Sequence, residues 1–210
     1  MSTASRSSVS PGRFLVLDGG EGCGKSTQAR HLASALSARG ERVHVFRDPG
    51  STRVGELIRA ILLNPDHDEM AMRCEMLLYM AARAQMMSET ILPLLRQGHT
   101  VLCDRFISST LSYQLGGEDL TEDEIVAVGA IAIQGRWPDR TIILDMPVER
   151  SIARVQRAKD RIEQRPQSYH EQVRQRFLAQ ARAQPDRYRV VDADRPEAEV
   201  AADVLRAAIE

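Results

Sequence analysis

The sequence predicts an α/β protein, a three-layer α/β/α arrangement around a five-stranded parallel sheet, on three observations. Short apolar runs alternate with amphipathic stretches from end to end, as strands joined by crossover helices do. Thr100 to Asp104 is nearly continuous in apolar residues and ends in a carboxylate, as a central parallel strand reads. Phe14 to Gln28, F-L-V-L-D-G-G-E-G-C-G-K-S-T-Q, is an apolar run that breaks into glycines and restarts as a helix. No repeat or internal linker interrupts the pattern, so a single domain over 13–210 is expected after a tail of residues 1–12.

Each element has a local reason. Phe14 to Asp18 is the first strand, and Ser26 to Arg39 a helix stopped at Gly40, a residue that readily takes the left-handed backbone of a helix end. Val43 to Arg47 alternates like a strand and enters the turn Asp48-Pro49-Gly50. Val54 to Leu63 is a short amphipathic helix halted by Asn64-Pro65. Glu69 to Arg96 is a long helical stretch, broken near Pro93, whose apolar residues occupy more than one face and suit burial against both sheet and partner. Thr100 to Asp104 is the third strand. Thr121 and Glu124 stand in capping-box spacing at the head of a helix reaching Gly135. Arg140 to Met146 is the fourth strand, Val148 to about Ala158 and Ser168 to Ala183 are helices, Arg189 to Asp192 is the last strand, and Glu197 to Ile209 the closing helix.

Composition excludes several classes. The 28 basic and 29 acidic residues leave a net charge of −1, so no global field attracts nucleic acid or an anionic membrane. No apolar run reaches the roughly 18 residues of a membrane span. The first dozen residues lack the apolar core of a signal peptide, and a cytoplasmic protein is expected. Cys23, Cys74 and Cys103 share no metal spacing; Cys74 and Cys103 read as buried small apolar residues and Cys23 as a loop residue.

Gly19, Gly20, Glu21, Gly22, Cys23, Gly24, Lys25 and Ser26 satisfy G-x-x-x-x-G-K-[ST], the phosphate-binding P-loop. The glycines let backbone N–H groups turn inward on an anion, and the following helix adds the positive end of its dipole. Lys25 is one of only two lysines, with Lys159, in a chain that otherwise uses arginine for positive charge. Its ammonium suits the β and γ phosphates, and the Ser26 hydroxyl suits Mg²⁺.

Ligands of open parallel sheets lie beyond the carboxyl ends of the strands. The first three strands exit into the P-loop, at Arg47-Asp48-Pro49-Gly50 and at Asp104-Arg105-Phe106, gathering two arginines and a carboxylate near one bound phosphate chain. Arginine's fork fits phosphate oxygens, and Asp104 fits Mg²⁺, directly or through water. Downstream, Arg154, Arg157, Lys159 and Arg161 cluster before Arg165-Pro166. Spacing alone leaves two readings of that cluster, a solvated face or a mobile segment that closes over phosphates.

With those residues in hand, the chain resembles the bacterial thymidylate kinases, P-loop enzymes that transfer the ATP γ-phosphoryl group to dTMP. The likeness covers nearly everything after the tail and rests on ordered motifs: the P-loop, R-D-P-G-S-T-R-V-G-E at Arg47 to Glu56, E-M-L-L-Y-M-A-A-R-A-Q at Glu75 to Gln85, D-R-F at Asp104 to Phe106 and D-R-I-E at Asp160 to Glu163. It implies a nucleoside monophosphate kinase-like fold with a lid at about 154–166, and ATP held by Gly19 to Ser26 and Thr27. It further implies that Arg47 and Arg105 hold the acceptor phosphate, that Asp104 serves metal and phosphates, and that Glu21 lies near the dTMP sugar or phosphates. Tyr79 would stack on thymine, Arg83 would reach its O4, and Thr110, Tyr113 and Gln114 would line the nucleoside pocket. The loop has no basic residue before Lys25, which by the resemblance moves the catalytic arginine into the lid, with Arg157 and Arg161 as candidates. A homodimer of packed helices is also implied, with Met70 to Met87 as the candidate surface. The sequence departs from the usual pattern with Asp18 and Asp48 for glutamate, Ser51 for a second glycine, Tyr79 for phenylalanine and Phe106 for tyrosine.

Local pattern agrees on one point: Tyr79 and Arg83 are four apart and share a helical face, although without the resemblance Tyr79 reads as a core aromatic. Three alternatives remain open in the sequence. A GTPase-type switch lacks its N-K-x-D motif, since the only asparagine is Asn64 before proline. A kinase for another nucleoside monophosphate would differ around Tyr79 and Arg83. A non-catalytic binding module would not need every phosphate-handling residue.

Overall fold

Phe14 and Val16 pack into one apolar cluster and Leu15 and Leu17 into a second, and all four are buried, as a strand covered on both faces requires. The computed structural model describes residues 11–155 and 160–210. Among these, strands β1 (Phe14–Gly19), β2 (Val43–Arg47), β3 (Thr100–Asp104), β4 (Arg140–Asp145) and β5 (Tyr188–Asp192) form one sheet in the order β2-β3-β1-β4-β5. Every pairing is parallel, with Leu15 opposite Leu102 and Leu17 opposite Ile142. β1 therefore sits at the centre, and the chain reverses direction of winding beside it. That reversal is where ligands of such sheets bind.

One face carries α1 (Lys25–Ala38) and α9 (Glu197–Ile209), whose Leu32, Leu36, Val200 and Val204 close over Leu102, Ile142 and Leu144. The other carries α3 (Met72–Met86), α5 (Ile107–Tyr113) and α6 (Glu122–Ala132), with Met76, Met80, Ile107 and Ile125 against Phe14, Val101 and Cys103. Each fully buried aliphatic side chain contributes about 1.5–3 kcal/mol. The remaining helices are α2 (Arg53–Leu63), α4 (Leu92–Arg96), α7 (Val148–Ala153) and α8 (Gln167–Ala183).

The expected break near Pro93 takes a specific form. α3 passes through a π-helical turn, Met87–Ile91, into α4 without leaving the helix, and Pro93 falls at the start of α4. A proline lacks the N–H that would bond four residues back and its ring crowds that carbonyl; one wider turn relieves both. The capping box is present, with Thr121 Oγ1 accepting from Glu124 N at 3.3 Å and Glu124 Oε2 accepting from Thr121 N at 2.9 Å. That helix stops at Ala132, short of Gly135, because Gln134 and Gly135 both have positive φ.

Several expectations are corrected. Cys74 is exposed rather than buried, while Cys103 is buried as expected; Cys23 is in its loop, but buried, with its thiol on the Gly20 carbonyl. In the Met70 to Met87 stretch, Met76, Met80, Met86 and Met87 are core residues, while Leu77 on the same helix is exposed. α7 ends at Ala153, before the expected Ala158. Helix α5 was not expected from I-S-S-T-L-S-Y at all, yet every residue of it is buried. Residues 1–10 of the expected tail, and Arg157 and Lys159 of the basic cluster, lie outside the described residues. Among the described residues no helix is long and apolar enough to cross a membrane.

Candidate active site

β1 delivers the chain into the glycine loop at the centre of the sheet, and α1 begins at Lys25. Gly24, with φ of 93°, is the helix N-cap, a left-handed position that side chains disfavour. Gly22, also left-handed, lies so close to α7 that a Cβ would overlap the Ser151 carbonyl. Lys25 folds back into its own loop, its ammonium donating to the carbonyls of Gly20 at 2.5 Å and Gly19 at 3.3 Å. Ser26 Oγ donates to Asp104 Oδ2 at 2.6 Å, joining the head of α1 to the end of β3. A hydroxyl and a carboxylate side by side at the mouth of a phosphate cleft are hard oxygen donors that fit Mg²⁺, which takes one or two carboxylates and fills its other positions with water and phosphate.

That cleft is lined by Glu21, Gly22, Gly24, Lys25, Ser26, Thr27, Arg47, Asp104 and Arg105 from the expected set, joined by Arg59, Arg154 and Glu163. Gly19, Gly20 and Cys23 form the inner side of the loop, against β4, α7 and α8. Arg47 is half exposed and its Nη2 rests on the Glu56 carboxylate at 3.0 Å.

Arg105 links this cleft to a second one. It holds a left-handed backbone, φ 73°, which aims its side chain back across the loop. Nη1 donates to the Gly19 carbonyl at 2.9 Å and to Ser109 Oγ at 3.2 Å, and Nη2 to Glu21 Oε1 at 2.5 Å. Tyr113 OH also donates to Glu21 Oε1, at 3.1 Å. Burial alone would raise the Glu21 pKa, but the charges of Arg105 and Lys25 and the Tyr113 hydroxyl outweigh it and hold the carboxyl down to about 2. Beneath them, fully buried Asp18 accepts from Ser108 at 2.6 Å, Ser109 at 2.7 Å and the Gly19 backbone at 2.9 Å.

The second pocket is lined by Glu21, Tyr79, Arg83, Arg105, Thr110, Tyr113 and Gln114, so seven of the eight residues expected around the acceptor meet in one place; Arg47 stands in the adjoining cleft. Tyr79, Arg83 and Glu75 form one stripe of α3 at spacings of four. Arg83 is 1% exposed. Its Nε donates to Asp48 Oδ2 at 2.5 Å, Nη1 to Thr110 Oγ1 at 2.7 Å and Nη2 to the Phe106 carbonyl at 2.9 Å. A second Nη2 hydrogen has no acceptor among the described residues. Burial pushes the Tyr79 hydroxyl's pKa upward, leaving it a neutral flat ring.

One expected residue stands elsewhere. Arg161 is not a free lid cation: it is 8% exposed, with Nη2 on Glu75 Oε2 at 2.5 Å and Nε on the Leu62 carbonyl at 2.9 Å. Arg157 lies outside the described residues. The sequence reading also passed over Asp18, Asp48, Arg59 and Glu75 as site residues. Glu75 carried a signal, since an acidic residue in register with Tyr79 and Arg83 on a mostly apolar helix needs a partner. Arg59 carried none, because its direction depends on how α2 is placed.

A family model described as thymidylate kinase matches residues 17–204. A thymidylate kinase of Alcanivorax borkumensis is 46% identical over 187 residues, covering 88% of this chain and 90% of its own. One of Pelotomaculum thermopropionicum is 46% identical over 202 residues, covering 95% and 94%. One of Chromohalobacter salexigens is 44% identical over 191 residues, covering 89% and 90%. On the extent of these matches, this chain belongs to the thymidylate kinase family.

Proposed function

We propose that the protein is an ATP-dependent dTMP kinase, moving the γ-phosphoryl group of ATP to dTMP to give dTDP and ADP on the route to dTTP. The observation that carries this reading is the pair of adjoining hollows that meet at Glu21 and Arg105, one lined by the glycine loop, the other by an aromatic ring and a buried arginine. A phosphate monoester with a second pKa near 6 is mostly dianionic at pH 7, so the acceptor needs no general base. What remains is bringing two anions into line and offsetting their charge.

In this reading the loop N–H groups and Lys25 hold the donor phosphates, the ammonium exchanging its loop carbonyls for phosphate oxygens. Arg105 and Arg47 take the acceptor phosphate, and Glu21, anchored by Arg105 and Tyr113, bounds the acceptor sugar. Ser26 and Asp104 would hold Mg²⁺, which supplies charge neutralisation at the donor phosphates. Arg154, a basic residue of the lid region, lines the phosphate cleft; Arg157 remains the candidate for the catalytic lid arginine on the resemblance alone.

Base selectivity follows from Arg83. Tyr79 offers a face that any base can use, whereas the uncommitted Nη2 hydrogen of Arg83 suits the O4 acceptor of thymine and uracil and meets the 4-amino group of cytosine donor to donor. Leaving buried polar groups unpaired discriminates by orders of magnitude, while the thymine methyl adds only about 1–3 kcal/mol, so dUMP is a weaker substrate and dCMP a very poor one. Tyr113 against the sugar would penalise a 2′-hydroxyl.

A homodimer is part of the proposal. Val54, Leu57 and Ile61 on α2 and Leu77 on α3 are exposed apolar residues on two helices that pack together, with Leu57 60% and Leu77 52% exposed. Burying them against a second copy accounts for their exposure better than water does. The cytoplasm, with its supply of ATP, is the proposed compartment. The test of the activity is ADP release with ATP, Mg²⁺ and a panel of dTMP, dUMP, dCMP, dGMP and AMP. Preference for dTMP is expected, and preference for AMP or dCMP would overturn the assignment.

A further inference from the structure

The acceptor pocket and the phosphate cleft share a wall. Asp160 and Ile162 face the acceptor pocket, and Glu163, one residue on, faces the phosphate cleft. This turn is fastened to the body of the protein at Glu75, a carboxylate of α3 with no solvent exposure. Oε2 accepts from Arg161 Nη2 at 2.5 Å and from Arg165 Nη2 at 3.0 Å, both from the turn. Oε1 accepts from Gln114 Nε2 at 2.6 Å, at the end of α5 and in the wall of the acceptor pocket.

We propose that Glu75 is a positioning residue that couples occupancy of the two nucleotide sites. The proposal rests on the kinase reading above and deepens it. A carboxylate is a rigid planar group, so a movement of Gln114 against an arriving base turns Oε1 and displaces the two arginines on Oε2. Those arginines set where the turn lies, because Arg161 is also bound through its Nε to the Leu62 carbonyl at 2.9 Å and through its backbone N–H to the Leu63 carbonyl at 3.3 Å. Arg165 lies over the Tyr169 ring at 4.7 Å, and the Tyr169 hydroxyl donates to the Tyr113 carbonyl at 2.7 Å, closing a second path from the turn to the acceptor wall. Ordering this turn from either side lowers the cost of ordering it from the other, which is a reciprocal coupling free energy. Without the carboxylate the buried guanidinium of Arg161 and the partly buried one of Arg165 face each other without the anion between them, and the turn loses its fastening.

The experiment is calorimetric titration of dTMP into wild type, Glu75→Gln and Arg165→Met, each with and without a saturating non-hydrolysable ATP analogue and Mg²⁺. The quantity read is the ratio of the two dTMP dissociation constants. Glutamine matches the shape of Glu75 but must turn an amide N–H₂ toward one of three donors, and Arg165→Met removes one fastening while leaving Glu75 paired with Arg161. The wild-type ratio is expected to exceed that of each folded variant by at least about threefold. A residue that only supported the fold would weaken both affinities and leave the ratio unchanged, and a ratio within threefold of wild type in the folded variants overturns the proposal. If Glu75→Gln does not fold, Arg165→Met decides alone. Wild type that binds no dTMP would overturn the kinase reading itself, and the coupling with it.

Discussion

Replacing Glu21 with glutamine removes one charge from the junction of the two hollows and leaves its shape, so its effect on stability is electrostatic and dependent on pH. The carboxyl has an ordinary pKa of 4.5 and is held at about 2 in the folded chain, chiefly by Arg105 and Lys25 acting against burial. A depressed carboxyl stabilises the fold above its unfolded pKa and loses that contribution as pH falls through the folded value. At 1.36 kcal/mol per unit, the shift amounts to about 3 kcal/mol at pH 7, of which about 2.5 remains at pH 4 and about 1.5 at pH 3. The side chain is 21% exposed, so screening removes little of this, and the figures stand as orders of magnitude. Urea unfolding of wild type and Glu21→Gln at pH 7, 5, 4 and 3.5 reads the difference directly. The gap between the two proteins should hold from pH 7 to 5 and then narrow as the pH falls below 4.5. A gap that stays constant down to pH 3.5 would falsify the electrostatic account and make Glu21 a shape-filling residue.

Other perturbations separate chemistry from architecture. Lys25→Ala should lower kcat at least 100-fold in a protein with wild-type circular dichroism, since its charge acts on phosphates during transfer; near-normal turnover would defeat that role. Chelating divalent cations should abolish turnover while moving Tm by less than about 1 °C, because Ser26 and Asp104 already satisfy each other, and persistence of turnover in excess chelator would exclude a metal there. Arg83→Ala leaves buried Asp48 without its cation, at about 3–5 kcal/mol, so Tm should fall by about 10 °C and activity alone cannot report base recognition; a Tm within about 2 °C of wild type would show the pair to be dispensable. Leu57→Glu combined with Leu77→Glu should halve the mass measured by light scattering, an outcome ruled out if wild type is already monomeric at micromolar concentration.

The inner strands β1, β3 and β4 were legible because burial on both faces demands apolar runs, and the edge strand β2 through its alternation; β2, β3 and α9 begin and end where the sequence places them. The glycine loop and the stripe of Tyr79 and Arg83 were legible for a similar reason, since backbone chemistry and helical periodicity constrain residue type locally. The order of the strands was not, because nothing in a parallel strand's own residues says which neighbour it pairs with. Arg161 misled for a physical reason: an arginine in a basic run looks like a mobile surface charge, and its carboxylate partner lies 86 positions upstream. Asp18 was invisible as a site residue because its partners, Ser108 and Ser109, belong to a helix that the sequence does not announce.

That helix, α5, sets the order in which the two hollows assemble. I-S-S-T-L-S-Y is seven residues, six of them β-branched, hydroxyl-bearing or aromatic and Leu111 the one strong helix former, too short to persist as a helix in water. Its hydroxyls reach 90 positions back to Asp18, and Gln180 of α8 holds it from the far side at Ser112 Oγ, 2.9 Å away. It can therefore become helical only after β1 is paired in the sheet and α8 has docked, contacts of long sequence separation that form slowly. The glycine loop needs only β1 and α1, which are adjacent in the chain. During refolding, binding of an ATP analogue should return before binding of dTMP, and on partial unfolding the acceptor pocket should be lost first, with the amides of residues 107–114 exchanging ahead of those of α1.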